Sequence, residues 1–453
     1  MYNILIKNGV YPDFASGEMV KANIGLKDGK IAYIGSEEPL SESQLDAEGK
    51  IVSPGFIDIH MHEENFAKEG NEYIISKLML QMGVTTAVGG NCGLQYQPIS
   101  EFRRVIRENG GCPVNYILLA GYNTFREKTG KGHFDAITEK EMAQIKMNIE
   151  GELAEGAWGI SFGLEYDPGI SYEEMLYAVT ASNEPGHLVS AHFRTDCVED
   201  IASVEEMVRF SAEIPQKFQI SHLCSCSAIG KMKESLDCIN EAMEKNPRLD
   251  FDTYPYNASC TNIGSAVFRD GCMEAWGKDY SCILLTDEPY KNVYCNKKIF
   301  QKVRKEYPDM LAVAFLMNED EIKAAITNRN GMIASDAILN MGKGHPRAAG
   351  TFPRILGKYV REEKALSMPD ALRKISYIPA ERLGLDKKGR IEIGCDGDIT
   401  IFDPDTIADK AGWTDLAPPV GIEHVIIRGA AAVKDGCIVD EHLGEFIPYR
   451  KIP

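Results

Sequence analysis

The chain has 453 residues, 44% of them hydrophobic, so it can bury one large core and a smaller one. Its 49 lysines and arginines against 67 aspartates and glutamates give a formal net charge of -18, which repels nucleic acid and anionic membrane surfaces. The sequence opens without a signal-peptide pattern and contains no run of 18 apolar residues, so we expect a cytoplasmic protein without nucleic-acid or membrane partners.

The sequence pattern at both ends of the chain is typical of short strands. Residues 1–53 contain alternating runs such as "ANIGLKDGKIAYIG", bounded by turn residues, which is typical of a small antiparallel sheet. Residues 388–453 repeat this pattern in "GRIEIGCDGDITIFDP". We therefore predict one β-domain built from both termini.

Between them, residues 54–387 alternate apolar strands with helical stretches. The candidate strands lie at 56–60, 85–90, 114–121, 159–164, 188–193, 217–223, 249–255 and 331–336. Eight such units are typical of a (β/α)₈ barrel, whose active-site residues lie at the carboxyl ends of the strands. The long gap before the last strand predicts an insertion at about 262–325, either a lid or a structural excursion.

Four of the nine histidines lie at the ends of predicted barrel strands: His60, His62, His192 and His222. The segment "DIHMH" places two of them at i and i+2, on one face of an extended segment, so both can reach one ion. Each alone would more often be a structural histidine. Together they predict a metal site.

Cys92 and Asp336 complete this set. Cys92 lies in the glycine-rich turn "GGNCGL" after the second strand, where a thiolate is a natural zinc ligand; alone it would be a packing residue. Asp336 ends the last strand, where a carboxylate beside a metal can bind the ion and accept a proton from water; alone it is equally well a turn residue.

The ligand set indicates a zinc-dependent hydrolase. One ion would be held by Cys92, His192 and His222, and a second by His60, His62 and Asp336. Metal-activated hydroxide would attack the substrate, with Asp336 as general base and acid.

The motifs resemble those of the N-acyl-D-amino-acid deacylase (D-aminoacylase) family of the amidohydrolase superfamily. The resemblance covers the whole chain, through "SPGFIDIHMHEEN", "GGNCG", "SAHFR", "QISHL", "DTYPY" and, most specifically, "SDAILNMGKGHPRAAGTFPRILGKYVRE". It implies a distorted (β/α)₈ TIM barrel with a small β-sandwich domain from both termini. It also implies a tight zinc at Cys92, His192 and His222, and a weaker second site at His60, His62 and Asp336.

The absence of one lysine indicates to which branch of this superfamily the chain is most similar. Many hydantoinase-like and dihydroorotase-like relatives bridge two metals with a carboxylated lysine on strand four. No lysine occurs here between Lys146 and Lys217, which favours the deacylase branch.

The resemblance also identifies residues for a small-molecule amide substrate. Tyr254 and Arg347 match residues that hold the substrate α-carboxylate. In the mechanism that we expect, Tyr166 contacts the carbonyl oxygen of the substrate. A lysine and a serine of that pocket are replaced by Cys224 and Cys260.

Deacylation of an N-acyl-D-amino acid is the expected reaction. The two replacements leave open hydrolysis of a cyclic, hydantoin-like amide, of a carbamoyl or formyl compound, or a deamination. A metal-binding protein without catalysis is a further alternative, and the sequence does not indicate an oligomeric state.

Overall fold

Seven short strands occupy the start of the computed structural model, which describes residues 1–196, 200–413 and 415–451. They are β1 (Tyr2–Lys7), β2 (Val10–Asp13), β3 (Glu18–Lys21), β4 (Asn23–Lys27), β5 (Lys30–Gly35), β6 (Ser41–Asp46) and β7 (Ile51–Pro54). Four of them form a sheet in the order β5-β4-β1-β6, as the alternating pattern predicts.

A barrel of parallel strands and helices follows. Its first strands are β8 (Phe56–Asp58), β9 (Val84–Gly89), β10 (Asn115–Leu118), β11 (Ala120–Gly121), β12 (Gly159–Gly163), β13 (Leu188–His192), β14 (Lys217–Ile220) and β15 (Leu249–Thr253). The helices between them are α1 (Phe66–Glu69), α2 (Ile75–Gln81), α3 (Ile99–Glu108), α4 (Tyr122–Glu127), α5 (Glu139–Ala154), α6 (Tyr172–Val179), α7 (Asp200–Glu213), α8 (Leu223–Ser227) and α9 (Met232–Lys245). Every residue of β9, β12 and β13 is buried, because helices cover one face of the sheet and the barrel core the other.

A small antiparallel sheet lies between β15 and the last barrel strand. The segment contains β16 (Ser259–Asn262), α10 (Cys272–Trp276), β17 (Ile283–Leu285), α11 (Lys297–Glu306), β18 (Leu311–Ala314) and α12 (Glu319–Thr327). The sheet has the order β16-β18-β17, and its hydrophobic cluster includes Phe268, Trp276 and Phe300. Helix α12 contacts α8, α9 and β15, so it packs with the helices of the barrel.

The last part of the chain completes both domains. It contains β19 (Met332–Ile333), β20 (Leu339–Asn340), β21 (Lys343–Gly344), α13 (Arg347–Arg354), α14 (Met368–Leu372), α15 (Ile378–Leu383), β22 (Ile399–Phe402), β23 (Ile422–Ile427), β24 (Ala430–Lys434) and β25 (Cys437–Ile438). Segments Ile355–Glu362 and Arg373–Tyr377 are π-helical.

All eight predicted barrel strands contain an observed strand, which confirms the predicted fold, and the barrel is distorted. Its parallel pairing runs β8-β9-β10 and then β11-β12-β13-β14-β15-β19, with a break at Leu119. The first and last strands meet beyond their regular ends, where the amide of His62 donates to the carbonyl of Ala337 (2.8 Å) and that of Asp336 to the carbonyl of His60 (2.8 Å). Closure therefore takes place through the residues that carry predicted metal ligands.

The two termini form the predicted β-sandwich. Strand β7 pairs with β22 in a seven-stranded sheet of order β25-β24-β23-β22-β7-β2-β3. A buried apolar cluster joins this sheet to the four-stranded one: Ile6, Ile24, Leu26, Val52, Ile399, Ile401 and Ile426. The domain boundaries 1–53, 54–387 and 388–453 stay predictions. Among the described residues, no helix has the length and apolar character needed to cross a bilayer.

Candidate metal centre and substrate cavity

The predicted metal ligands meet at the carboxyl ends of the barrel strands. His60 and His62 follow β8, Cys92 follows β9, His192 ends β13, His222 follows β14 and Asp336 follows β19. All six are buried, and their donor atoms form two groups within which every atom lies within 4.8 Å of the others. The first group contains Cys92, His192 and His222, and the second His60, His62, Cys92 and Asp336.

Cys92 belongs to both groups, which differs from the predicted division of the ligands. Its Sγ lies 3.3 Å from Nε2 of His60 and 3.3 Å from Nε2 of His222. Burial raises the pKa of the Cys92 thiol, but the charges of these two imidazoles outweigh it and lower the pKa well below its usual range. The lowered pKa favours the thiolate form of Cys92, and its sulfur lies within reach of both ligand groups.

The negative charge of Cys92 and of nearby carboxylates raises the pKa of two imidazoles. Burial lowers the pKa of His62, but bonds to Asp336 and Cys92 outweigh it and raise the pKa to about 8. Burial likewise lowers the pKa of His192, whereas bonds to Cys92 and Glu165 raise it to about 9. Protons and divalent cations compete for such a cluster, so metal binding here releases protons.

Three of the predicted ligands have a left-handed backbone conformation, which residues other than glycine rarely adopt. The φ angles are 52° at Cys92, 33° at His222 and 50° at Asp336. Each costs about 1–3 kcal/mol and persists only where the surroundings enforce it, often at functional sites. The surrounding structure therefore enforces these conformations at three residues that carry donor atoms.

Two glycines of "GGNCG" allow the Cys92 turn. A Cβ at Gly90 would lie 2.2 Å from the carbonyl oxygen of Leu119, and one at Gly93 would lie 1.8 Å from Oδ1 of Asn123. Both residues also have positive φ angles, so only glycine fits this close approach.

Polar side chains outside the two groups orient the imidazoles. Glu165 Oε2 lies 3.0 Å from Nε2 of His192, and Ser225 Oγ lies 2.8 Å from Nδ1 of His222. Asp252 lies 3.3 Å from Nδ1 of His60. Such partners fix the tautomer and the ring orientation of metal-binding histidines. None of the three was predicted from the sequence, although Glu165 and Asp252 lie at or just after the end of a barrel strand.

Asp336 lies between the histidines and an arginine. Its Oδ2 pairs with Nη1 of Arg347 at 2.8 Å, and its Oδ1 lies 3.4 Å from Nε2 of His60 and 3.5 Å from Nε2 of His62. Burial raises the pKa of Asp336, but the Arg347 guanidinium and the imidazoles outweigh it and hold the pKa well below its usual range. Asp336 is therefore ionised in this arrangement.

A cavity of about 360 Å³ opens beside Asp336 and Arg347, and a second cavity of about 30 Å³ adjoins it. Of the predicted substrate residues, Tyr166, Cys260 and Arg347 line both cavities and Tyr254 lines the smaller one. Arg347 donates from Nη2 to the carbonyl oxygen of Cys260 (3.1 Å), and its guanidinium lies 4.8 Å from the ring centroid of Tyr254.

Cys224 does not line either cavity, so its predicted place in the substrate pocket stays a prediction. The side chain is fully buried in the main hydrophobic core, where burial raises the pKa of the thiol to about 12. Strand β14 ends at Ile220 and α8 begins at Leu223, so Cys224 lies in the first turn of a helix. The neighbouring Ser225 lines the smaller cavity instead.

Histidine, cysteine and aspartate ligands at the strand ends of such a barrel define a metal-dependent hydrolase of the amidohydrolase type.

Residues 305–432 match a family model described as "Amidohydrolase family". Two relatives come from Alcaligenes xylosoxydans xylosoxydans. The chain is 27% identical to D-aminoacylase, with 98% of the chain and 97% of the relative covered. It is 30% identical to N-acyl-D-glutamate deacylase, with 95% and 93% covered.

A solved structure gives the same result. The crystal structure of N-acyl-D-glutamate deacylase from Bordetella bronchiseptica, complexed with zinc and a phosphonate inhibitor that mimics the tetrahedral intermediate, is 26% identical at a TM-score of 0.87. The match covers 99% of this chain and 100% of that one. The chain belongs to the N-acyl-D-amino-acid deacylase (D-aminoacylase) family of the amidohydrolase superfamily, and it is a hydrolase acting on carbon–nitrogen bonds other than peptide bonds.

Proposed function

We propose that the protein is a zinc-dependent deacylase of N-acyl-D-amino acids. The observation that carries the proposal is the placement of Arg347, which lines the cavities while paired with Asp336 of the metal cluster. The buried Nε of Arg347 has no hydrogen-bond partner in the described part of the chain. A substrate carboxylate supplies such an acceptor, and arginine is the side chain best suited to hold it.

The two ligand groups fit zinc. Thiolate, imidazole and carboxylate are the donors that zinc takes in proteins, and the first group offers one thiolate and two imidazoles, the number of protein ligands typical of a catalytic zinc. We propose that Cys92, His192 and His222 hold the tight ion, while His60, His62 and Asp336 hold a weaker one next to the shared thiolate. When bound, zinc lowers the pKa of water to about 7 and polarises a carbonyl oxygen.

The side chains around the metal centre have distinct proposed roles. Arg347 and Tyr254 hold the substrate carboxylate. Burial raises the pKa of Tyr166 well above its usual range, so its hydroxyl stays protonated and can donate to the carbonyl oxygen as negative charge develops there. Asp336, ionised, accepts a proton from the attacking water and returns it to the leaving amine.

We infer the preferred substrate side chain from the residues that line the smaller cavity. Its wall contains the apolar side chains of Val267, Trp276 and Leu316 together with the carboxylates of Glu165 and Asp196. Asp196 accepts a hydrogen bond from Nε1 of Trp276 at 2.9 Å. An additional carboxylate next to these acids is unfavourable, so we expect neutral substrate side chains to be preferred to acidic ones.

A substrate panel tests the proposal. We expect acetate and the free amino acid to be released from N-acetyl-D-amino acids and not from their L-enantiomers. N-acetyl-D-leucine or N-acetyl-D-methionine should have a kcat/KM at least about tenfold above that of N-acetyl-D-glutamate, equivalent to about 1.4 kcal/mol. Hydantoins, cyclic ureides, and N-carbamoyl and N-formyl compounds complete the panel. Hydrolysis of one of these without release of acetate from any D-amino-acid derivative would contradict deacylation.

A further inference from the structure

We propose that Asp252 is a positioning residue that orients ligands of both metal positions at once; this inference rests on the proposed function. Asp252 lies in β15, between the strand that leads to His222 and the last barrel strand, and its side chain is almost completely buried. Oδ1 of its carboxylate contacts both His60 of one ligand group and His222 of the other.

The contact with His60 fixes the proton on the imidazole. Nδ1 of His60 lies 3.3 Å from Oδ1 and 3.4 Å from Oδ2 of Asp252, whereas Nε2 faces Cys92 at 3.3 Å and Asp336 at 3.4 Å. An imidazole nitrogen must be free of its proton to bind a metal. With the proton on Nδ1, donated to Asp252, the lone pair of Nε2 is directed into the ligand group.

The contact with His222 fixes the backbone instead of the ring. The amide of His222 donates to Oδ1 of Asp252 at 2.7 Å, and this residue has the left-handed φ of 33°. A bond between a charged acceptor and a buried amide is among the stronger hydrogen bonds, so it can offset part of the strain of this conformation. Asp252 thereby holds His222 in the position from which Nε2 reaches Cys92.

A glutamine holds the second oxygen of Asp252 in place. Nε2 of Gln219 donates to Oδ2 of Asp252 at 3.1 Å. By contrast, Glu165 touches only His192 among the metal ligands, and Ser225 touches only His222. Both of these histidines belong to the first ligand group. The chain therefore offers a matched control, a carboxylate that orients a ligand of a single metal position.

The test measures zinc affinity in the absence of substrate. The full-length protein, Asp252→Asn and Glu165→Gln are freed of metal and titrated with zinc in competition with a chromophoric chelator, and His62→Ala identifies the dissociation constant that belongs to the second group. Loss of an outer partner lowers metal affinity by about 10- to 100-fold. We expect Asp252→Asn to raise both zinc dissociation constants by this factor and Glu165→Gln to raise only that of the first group.

The outcomes separate the inference from the function on which it rests. If the wild-type chain binds zinc in two steps and Asp252→Asn changes neither constant, or only one, the inference is wrong while the proposed function stands. A wild-type chain that binds no zinc contradicts both. If circular dichroism shows that Asp252→Asn does not fold, Gln219→Leu is the deciding variant. It removes the hydrogen bond to Oδ2 of Asp252 but keeps the carboxylate charge, so both zinc dissociation constants must still rise, by a smaller factor. Unchanged dissociation constants overturn the inference.

Discussion

Asp336→Asn is expected to lower kcat on the best N-acyl-D-amino acid by about a thousandfold, equivalent to about 4 kcal/mol of transition-state stabilisation. The amide has nearly the shape of the carboxylate but cannot accept a proton from water or return it to the leaving amine. It also leaves the buried Arg347 guanidinium without the partner 2.8 Å away. The measurement is steady-state turnover, with the zinc content of the variant determined in parallel.

Asp409→Asn is the control for this variant. Asp409 also pairs with an arginine, Arg354 at 3.1 Å, but it lines neither cavity. Because Asp409 lies outside both cavities, its loss should leave kcat within about twofold of the wild-type value. The part-exposed ion pair itself contributes about 1 kcal/mol or less to stability. An Asp336→Asn variant that keeps more than about a tenth of wild-type turnover would show that Asp336 is not the general base and acid.

Cys92→Ala is expected to lose the tightly bound zinc together with at least about a thousandfold of the activity. Its thiolate lies 3.3 Å from imidazole nitrogens of both ligand groups, so one substitution removes a donor from each. It also removes the negative charge that raises the pKa of His62 and His192. We expect dialysed Cys92→Ala to contain little zinc by elemental analysis, and added zinc to restore little of its activity.

Cys226→Ala provides the matched control. Cys226 is also a fully buried thiol, four residues after His222, but it donates to Asp200 at 2.6 Å and belongs to neither ligand group. This variant should keep the zinc content and turnover of the wild type. If Cys92→Ala kept its zinc as well, the shared thiolate would not be a ligand.

The ligands could be predicted from the sequence because each lies next to a local signal. His60 and His62 alternate along one extended segment, and Cys92 lies among glycines that its turn requires. The eight strand patterns then place these signals at one end of the barrel. Local pattern and topology together predicted that these six side chains lie close together, as the structure has them.

What the sequence could not show depends on distances across strands. Membership of Cys92 in both ligand groups follows from its position between His60 and His222, which are separated by 162 positions in the chain numbering. The contact of Asp252 with both histidines arises in the same way. The surroundings of Cys224 could not be predicted either, because a helix begins one residue after His222 and buries its side chain in the main core.

Metal removal tests the central claim, zinc-dependent deacylation, most directly. Zinc content and the hydrolysis of N-acetyl-D-amino acids are measured on the same sample before chelation, after chelation and after zinc is added back. We predict that the metal-free protein releases neither acetate nor D-amino acid, and that added zinc restores release of both in equal amounts. Undiminished hydrolysis by protein shown to be free of metal would contradict the account.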